Sequence, residues 1–220
     1  MNSASRYRGF LLGSLVGDAL GLPANGRPHH IVRMYFKGIK GYTDEYYTTA
    51  SPTGLRAGQT SIDPRPILKS LPENPSLGID LWIHNFFQLS ETWQKTLTKL
   101  SHELLEKSTL EQTLLGKLFD EKAKQKILDG LDLFPTDLVS HFDGAMTEPD
   151  AIQFALSMLL RNHDDFETTV LSTINMGGLS RLTGAIAGGM MGLLHGEKSI
   201  PESLILGLEH SEEILSALNS

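Results

Sequence analysis

Glycine recurs every fourth residue in two apolar stretches far apart in the chain: Gly9, Gly13, Gly17 and Gly21 near the start, and Gly184, Gly188, Gly192 and Gly196 near the end. The first is filled out by Phe10, Leu12, Leu15, Val16 and Leu20, so both stretches have helical spacing and no polar face. A glycine inside a helix costs about 1 kcal/mol relative to alanine. So many in register need an offsetting gain, and a ridge of glycines along positions four apart lets another helix approach until the backbones touch. The eight glycines are therefore assigned to core packing rather than to chemistry.

The rest of the chain repeats the helical signal. Ser108 with Glu111 is expected to form a capping box that opens a helix carrying Leu110, Leu114 and Leu118 on one face. Asp164 with Glu167 is expected to open another, with Phe166, Val170 and Ile174 inward, stopping at Gly177-Gly178. Thr147 and Pro149 start a helix with Ile152, Ala155, Leu156 and Leu159 inward; Trp93, Leu97, Leu100 and Leu104 mark one more. Between Arg27 and Arg65 no helical period is visible, which predicts loop with short strands around Gly41 to Tyr47, and Pro72 to Ser76 reads as a second loop. His29 and His30 fall in the first of these and read as solvated loop residues. The fold class expected is all-α. No linker or solenoid repeat interrupts the chain, so residues 1–220 are expected to form a single domain.

Composition narrows the chemistry. With 40% hydrophobic and 20% charged residues in 220, the chain reads as soluble and globular. Cysteine is absent, which leaves oxygen and imidazole as the ligand chemistry and suits a cytoplasmic setting. A net charge of −7 offers no basic footprint for nucleic acid. The stretches Gly9 to Pro23 and Leu182 to Leu194 fall short of the ~20 apolar residues that span a bilayer, and the first carries Asp18, so no membrane partner is expected.

Two motifs point to a family. Arg8-Gly-Phe-Leu-Leu-Gly-Ser-Leu-Val-Gly-Asp-Ala-Leu-Gly-Leu-Pro23 resembles the opening helix of the ADP-ribosylglycohydrolases, with its Gly-Asp-Ala-Leu-Gly centre. Asp164-Asp-Phe-Glu167, Ile174-Asn-Met-Gly-Gly178 and Thr183-Gly-Ala-Ile-Ala-Gly188 are similar to that family's closing motif. The resemblance, of the dinitrogenase reductase activating glycohydrolase type, runs through Ser70 and resumes at Met146. It implies an orthogonal helix bundle, here shortened in the middle, around two Mg²⁺ or Mn²⁺ ions that engage ADP-ribose and support cleavage of its glycosidic link.

The same resemblance places the metal ligands, and most are missing. The family's Thr-Asp-Asp-Thr falls on Ser61-Ile62-Asp63-Pro64, after a matching Gly58-Gln59; its Asp-Thr-Asp-Thr-Thr falls on Leu179-Ser180-Arg181-Leu182-Thr183; its glutamate after the first helix falls on Asn25. Asn25, Ser61, Asp63, Arg181 and Thr183 are thus the remnant site positions, with no intact catalytic set. The family's Asn-Gly-X-X-Met-Arg-X-X-Pro stretch has no counterpart, and His141-Phe142-Asp143 has the letters of its His-X-Asp helix but lies close to Pro149. Against two ions of total charge +4 the aligned positions offer only Asp63, while Arg181 adds a positive charge worth roughly 4 kcal/mol of repulsion per unit pair at contact and an effective dielectric near 20. No metal pair is expected, and a single Mg²⁺ on Asp63 and Ser61 is the most these positions could take.

An ion pair between Arg181 and Asp63 is the expected replacement, with Arg181 also suited to a nucleotide-like phosphate. Asp63 read on its own is a helix cap before Pro64, and Thr183 an ordinary residue near a helix start. The functional expectation is a catalytically degenerate homologue that binds a protein partner or a nucleotide-like ligand. The alternatives are an active hydrolase that draws acids from Asp120, Glu121, Asp129 or Asp132, and a structural or oligomer-forming protein.

Overall fold

The computed structural model describes residues 2–43, 56–106, 109–116 and 120–219. In chain order its elements are α1 (Ser3–Gly21), the two-residue strand β1 (Arg27–Pro28), α2 (His29–Phe36), α3 (Arg65–Lys69), α4 (Pro75–Trp82) running into a π-helical turn (Ile83–Phe87), α5 (Glu91–Leu105), α6 (Leu110–Leu115), α7 (Glu121–Asp129), α8 (Pro135–His141), α9 (Glu148–Arg161), α10 (Phe166–Ile174), β2 (Gly177–Gly178), α11 (Ser180–His195), α12 (Glu202–Leu206) and α13 (Ser211–Asn219). The fold is all-α apart from the β1–β2 pair, which is antiparallel with Arg27 opposite Gly178 and Pro28 opposite Gly177.

The centre is α1 against α11, and the glycines explain it. A methyl group placed on Gly13 would overlap the Gly188 carbonyl; one on Gly17 would strike Gly184, one on Gly9 would strike Gly192, and one on Gly21 would strike Ser180. The two helices therefore run antiparallel with their backbones in contact, and α1 is buried continuously from Gly9 to Gly21. Gly196 stands just past the end of α11, capping it at φ 75°, and its backbone still lies against Gly9. Around this pair, α9 and α10 pack on α11, and Phe10 of α1 meets an aromatic group in which Trp82 stacks on Phe86 with ring centres 4.5 Å apart.

The remaining expectations meet mixed outcomes. Thr147 caps α9, whose Ile152, Ala155, Leu156 and Leu159 are fully buried, and α5 buries Leu97, Leu100 and Leu104. Helix α10 buries Phe166, Val170 and Ile174, but its cap is Asp165 rather than Asp164, because Asp165 Oδ2 is the oxygen that reaches the Thr168 N–H, at 2.7 Å. Thr109 caps α6 through the Gln112 N–H; Ser108 and Leu118 lie outside the described residues. The second expected loop ends early, since Asn74 accepts from the Ser76 and Leu77 amides and Pro75 takes the first helical position of α4. The first contains a helix that its sequence hid: α2 turns only Val32 and Phe36 inward, a pattern too brief to stand out, and begins at His29 and His30. No strand forms over Gly41 to Thr43, and the rest of that expected strand lies outside the described residues.

Candidate functional site

The α1–α11 pair carries a charge into the core. Asp18, near the end of α1, has no solvent exposure. An isolated buried carboxylate is costly, so its partners decide whether the helix can stand. Ser61, in the turn before α3, donates its backbone N–H to Asp18 Oδ2 at 2.6 Å and its hydroxyl to Oδ1 at 2.9 Å. Arg181, in the first turn of α11, brings Nη1 to 3.4 Å from Oδ1 and donates to the Ser61 Oγ at 3.0 Å. Ser61 thus donates to the acid and accepts from the base. Burial pushes the Asp18 carboxyl up to about 6, while Arg181 and the two Ser61 hydrogen bonds pull the other way.

The backbone that presents Arg181 is fixed from several sides. Ser180 donates its hydroxyl to the Gly21 carbonyl at 2.7 Å, joining the start of α11 to the end of α1. Leu179 gives α11 no side-chain cap, and Asn25 supplies one from elsewhere, its Oδ1 accepting the Arg181 N–H at 3.3 Å. The Gly26 N–H donates to the Gly178 carbonyl alongside. Thr183 is buried, and its hydroxyl turns back to the Ser180 carbonyl at 3.3 Å.

Three of the five remnant positions, Asn25, Ser61 and Arg181, therefore converge, and they do so around a residue the sequence reading passed over. The expected ion pair between Arg181 and Asp63 does not form. Asp63 faces outward, held by both arms of the Arg65 guanidinium at 2.9 Å and accepting the Arg65 N–H at 3.0 Å. That guanidinium keeps the Asp63 carboxyl below the usual carboxylate range. Arg65 also reaches Glu213 of α13 at 2.7 Å. The correction has a physical reason: a fully buried acid depends on a cation far more than an exposed one does, and Arg181 lies beside the buried one. Nor is Asp63 the cap of a helix: the N-cap position of α3 falls to Pro64, which has no side chain to offer, and the Asp63 carboxylate instead closes a short turn onto the Arg65 N–H. The signal for Asp18 was available, as the acid inside an apolar helix within Gly-Asp-Ala-Leu-Gly.

This cluster does not suit a pair of divalent ions. Such ions need several anionic oxygens free to coordinate. Asp18 is the carboxylate here, its oxygens are committed to Ser61 and Arg181, and a guanidinium stands where further acid would be needed. Among the described residues no three His, Cys, Asp or Glu side chains gather as a metal site. Three of the four middle acids serve elsewhere, Asp120 capping α7 through the Ala123 N–H, Glu121 pairing with Lys124 and Asp129 accepting from Gln125, and Asp132 stands exposed.

Comparison with known proteins bears on the whole chain. One solved structure, described as an ADP-ribosylglycohydrolase-related protein complex, is 18% identical and superimposes with a TM-score of 0.53 over 99% of this chain and 96% of its own, which supports the fold. No curated protein matches. The sequence model of the ADP-ribosylglycohydrolases matches residues 79–220, so it takes in the closing motif and also the middle in which the family's stretches could not be placed, while the opening helix lies outside the match. A match over most of the chain, on a fold of the same kind, shows that this protein belongs to the ADP-ribosylglycohydrolase family.

Proposed function

We propose that this chain is a catalytically degenerate ADP-ribosylglycohydrolase homologue that works by binding, holding a nucleotide-like ligand or a protein partner in place of cleaving ADP-ribose. The observation that carries this reading is the Arg181 guanidinium set against Asp18 and Ser61, at positions where metal-dependent cleavage calls for anionic oxygen. The similar solved structure is described as a protein complex, which supports a protein partner. The reading takes residues 1–220 as one domain of a cytoplasmic protein that uses neither nucleic acid nor membrane and needs no cofactor. None of the helices described is long and apolar enough to cross a membrane.

Thermal unfolding with and without ADP-ribose, in Mg²⁺ and in EDTA, tests it. A ligand at 100 times its Kd stabilises by about 2.7 kcal/mol, roughly 5–10 °C for a chain of this size. A shift indifferent to EDTA, lost in Arg181→Ala, is the expected result for a nucleotide-like ligand. No shift leaves the protein partner, sought by pull-down with Arg181→Ala as control. A shift that requires Mg²⁺, or release of free ADP-ribose from a modified protein, overturns the proposal in favour of an active hydrolase.

A further inference from the structure

Two stretches of opposite charge adjoin on the surface. Between Arg27 and Lys40 the chain carries Arg27, Arg33, Lys37 and Lys40 and no acid, although its net charge is −7. Arg33 and Lys37 stand exposed four residues apart at the end of α2, where like charges repel, and neither has an acid partner among the described residues. Met34, 60% exposed, lies between them. From Glu202 to Glu213 the balance is reversed, with Glu202, Glu209, Glu212 and Glu213 and no lysine or arginine. Glu209 and Glu213 pair with Arg56 and Arg65, whereas Glu202 and Glu212 are exposed with no cation partner among the described residues. Leu206, 56% exposed, follows Glu202 by four residues and so shares its face of α12. The two stretches meet at Tyr42, whose hydroxyl donates to the Leu204 carbonyl at 2.8 Å and whose ring lies against Gly207.

A basic face beside an acidic one, each with an exposed apolar side chain, is complementary to itself under a two-fold rotation. The rotation sets α2 of one copy against the Glu202 face of the other, and the second contact repeats the first. We propose that this surface pairs with a second copy of the chain, α2 of each protomer docking on α12 and the start of α13 of its partner. The acidic stretch that travels beside α2 would repel a membrane or a nucleic acid, whereas a second copy needs it. One exposed ion pair contributes little, so the charges set the orientation while burial of Met34 and Leu206 supplies affinity. The pairing is independent of the reading given above for Arg181.

Sedimentation equilibrium of the full chain up to about 0.5 mM, in about 0.1 M and about 1 M salt, tests it. Expected at the lower salt is a closed dimer, with a Kd that rises about tenfold or more at the higher, where the screening length falls from ~10 Å to ~3 Å. Arg33→Glu with Lys37→Glu reverses the unpaired charges of α2, and Glu202→Lys with Glu212→Lys reverses those of the acidic stretch. Each double variant alone should be monomeric, and an equimolar mixture of the two should dimerise again, because both contacts of the two-fold are then restored with their signs exchanged. Should either double variant melt early, Lys37→Glu and Glu212→Lys are mixed in their place. The proposal is overturned if the parent is monomeric throughout, if the variants dimerise as well as the parent, or if mixing restores nothing. Masses beyond two copies would overturn it as well, since they mean an open head-to-tail contact. So would a monomer that sediments with phosphatidylserine vesicles, which would assign α2 to a membrane surface.

Discussion

Asp18 shows how one side chain can set the pH response of a whole molecule. Its carboxyl titrates near 6 in the fold against an ordinary 3.8, so between these values the native state holds a proton that the unfolded chain has released. The contribution to stability is therefore full below the ordinary value and is lost as pH rises through 6, and it amounts to something on the order of 3 kcal/mol. Asp63, Asp165 and Glu213, whose carboxyls are held low by hydrogen bonds from Arg65, Thr168 and Arg65 respectively, act in the opposite sense. The effect therefore appears in a difference: between pH 7 and pH 4 the parent should gain about that much stability relative to Asp18→Asn in urea unfolding, and equal pH responses would refute the assignment. Arg181→Ala should cost about 2–3 kcal/mol at pH 7, since it strands a buried charge, and much less at pH 4, where Asp18 is neutral. A loss that ignores pH would mean that Arg181 acts through packing alone.

The glycine ridges carry the argument at the level of elements. Gly13→Ala improves helix propensity by about 1 kcal/mol yet forces two touching backbones apart, so a net loss of about 2 kcal/mol is expected by urea unfolding. Gly41→Ala, where an added methyl meets no atom of the described residues within 4 Å, should stay within about 0.5 kcal/mol. The long periodic elements were legible in the sequence: α1, α5, α9, α10 and α11 all present three or more apolar residues at helical spacing. Helix α2 was not, because Val32 and Phe36 are too few to set a period, and cap positions slipped by a residue where adjacent aspartates compete, as at Asp164 and Asp165. At the site, the alignment found the positions but not their partners. Sequence spacing cannot say that Ser61 turns toward Asp18 while Asp63, two residues on, turns toward Arg65.

For the whole molecule, what unites the parts is contact between distant segments. Arg8 in α1 donates to Glu197 at 2.6 Å and to the Leu218 carbonyl at 2.6 Å, and the Ser180 to Gly21 hydrogen bond spans 159 positions. The core and the remnant site are the same construction seen at its two ends, which is why Arg181 cannot be moved without disturbing the helix pair.

That pairing also has a consequence for biogenesis. A helix apolar on every face leaves the ribosome long before the segment that covers it has been made. At synthesis rates of about 5–20 residues per second the wait is roughly ten to thirty seconds, a period in which α1 is exposed to chaperones and to its own copies on neighbouring nascent chains.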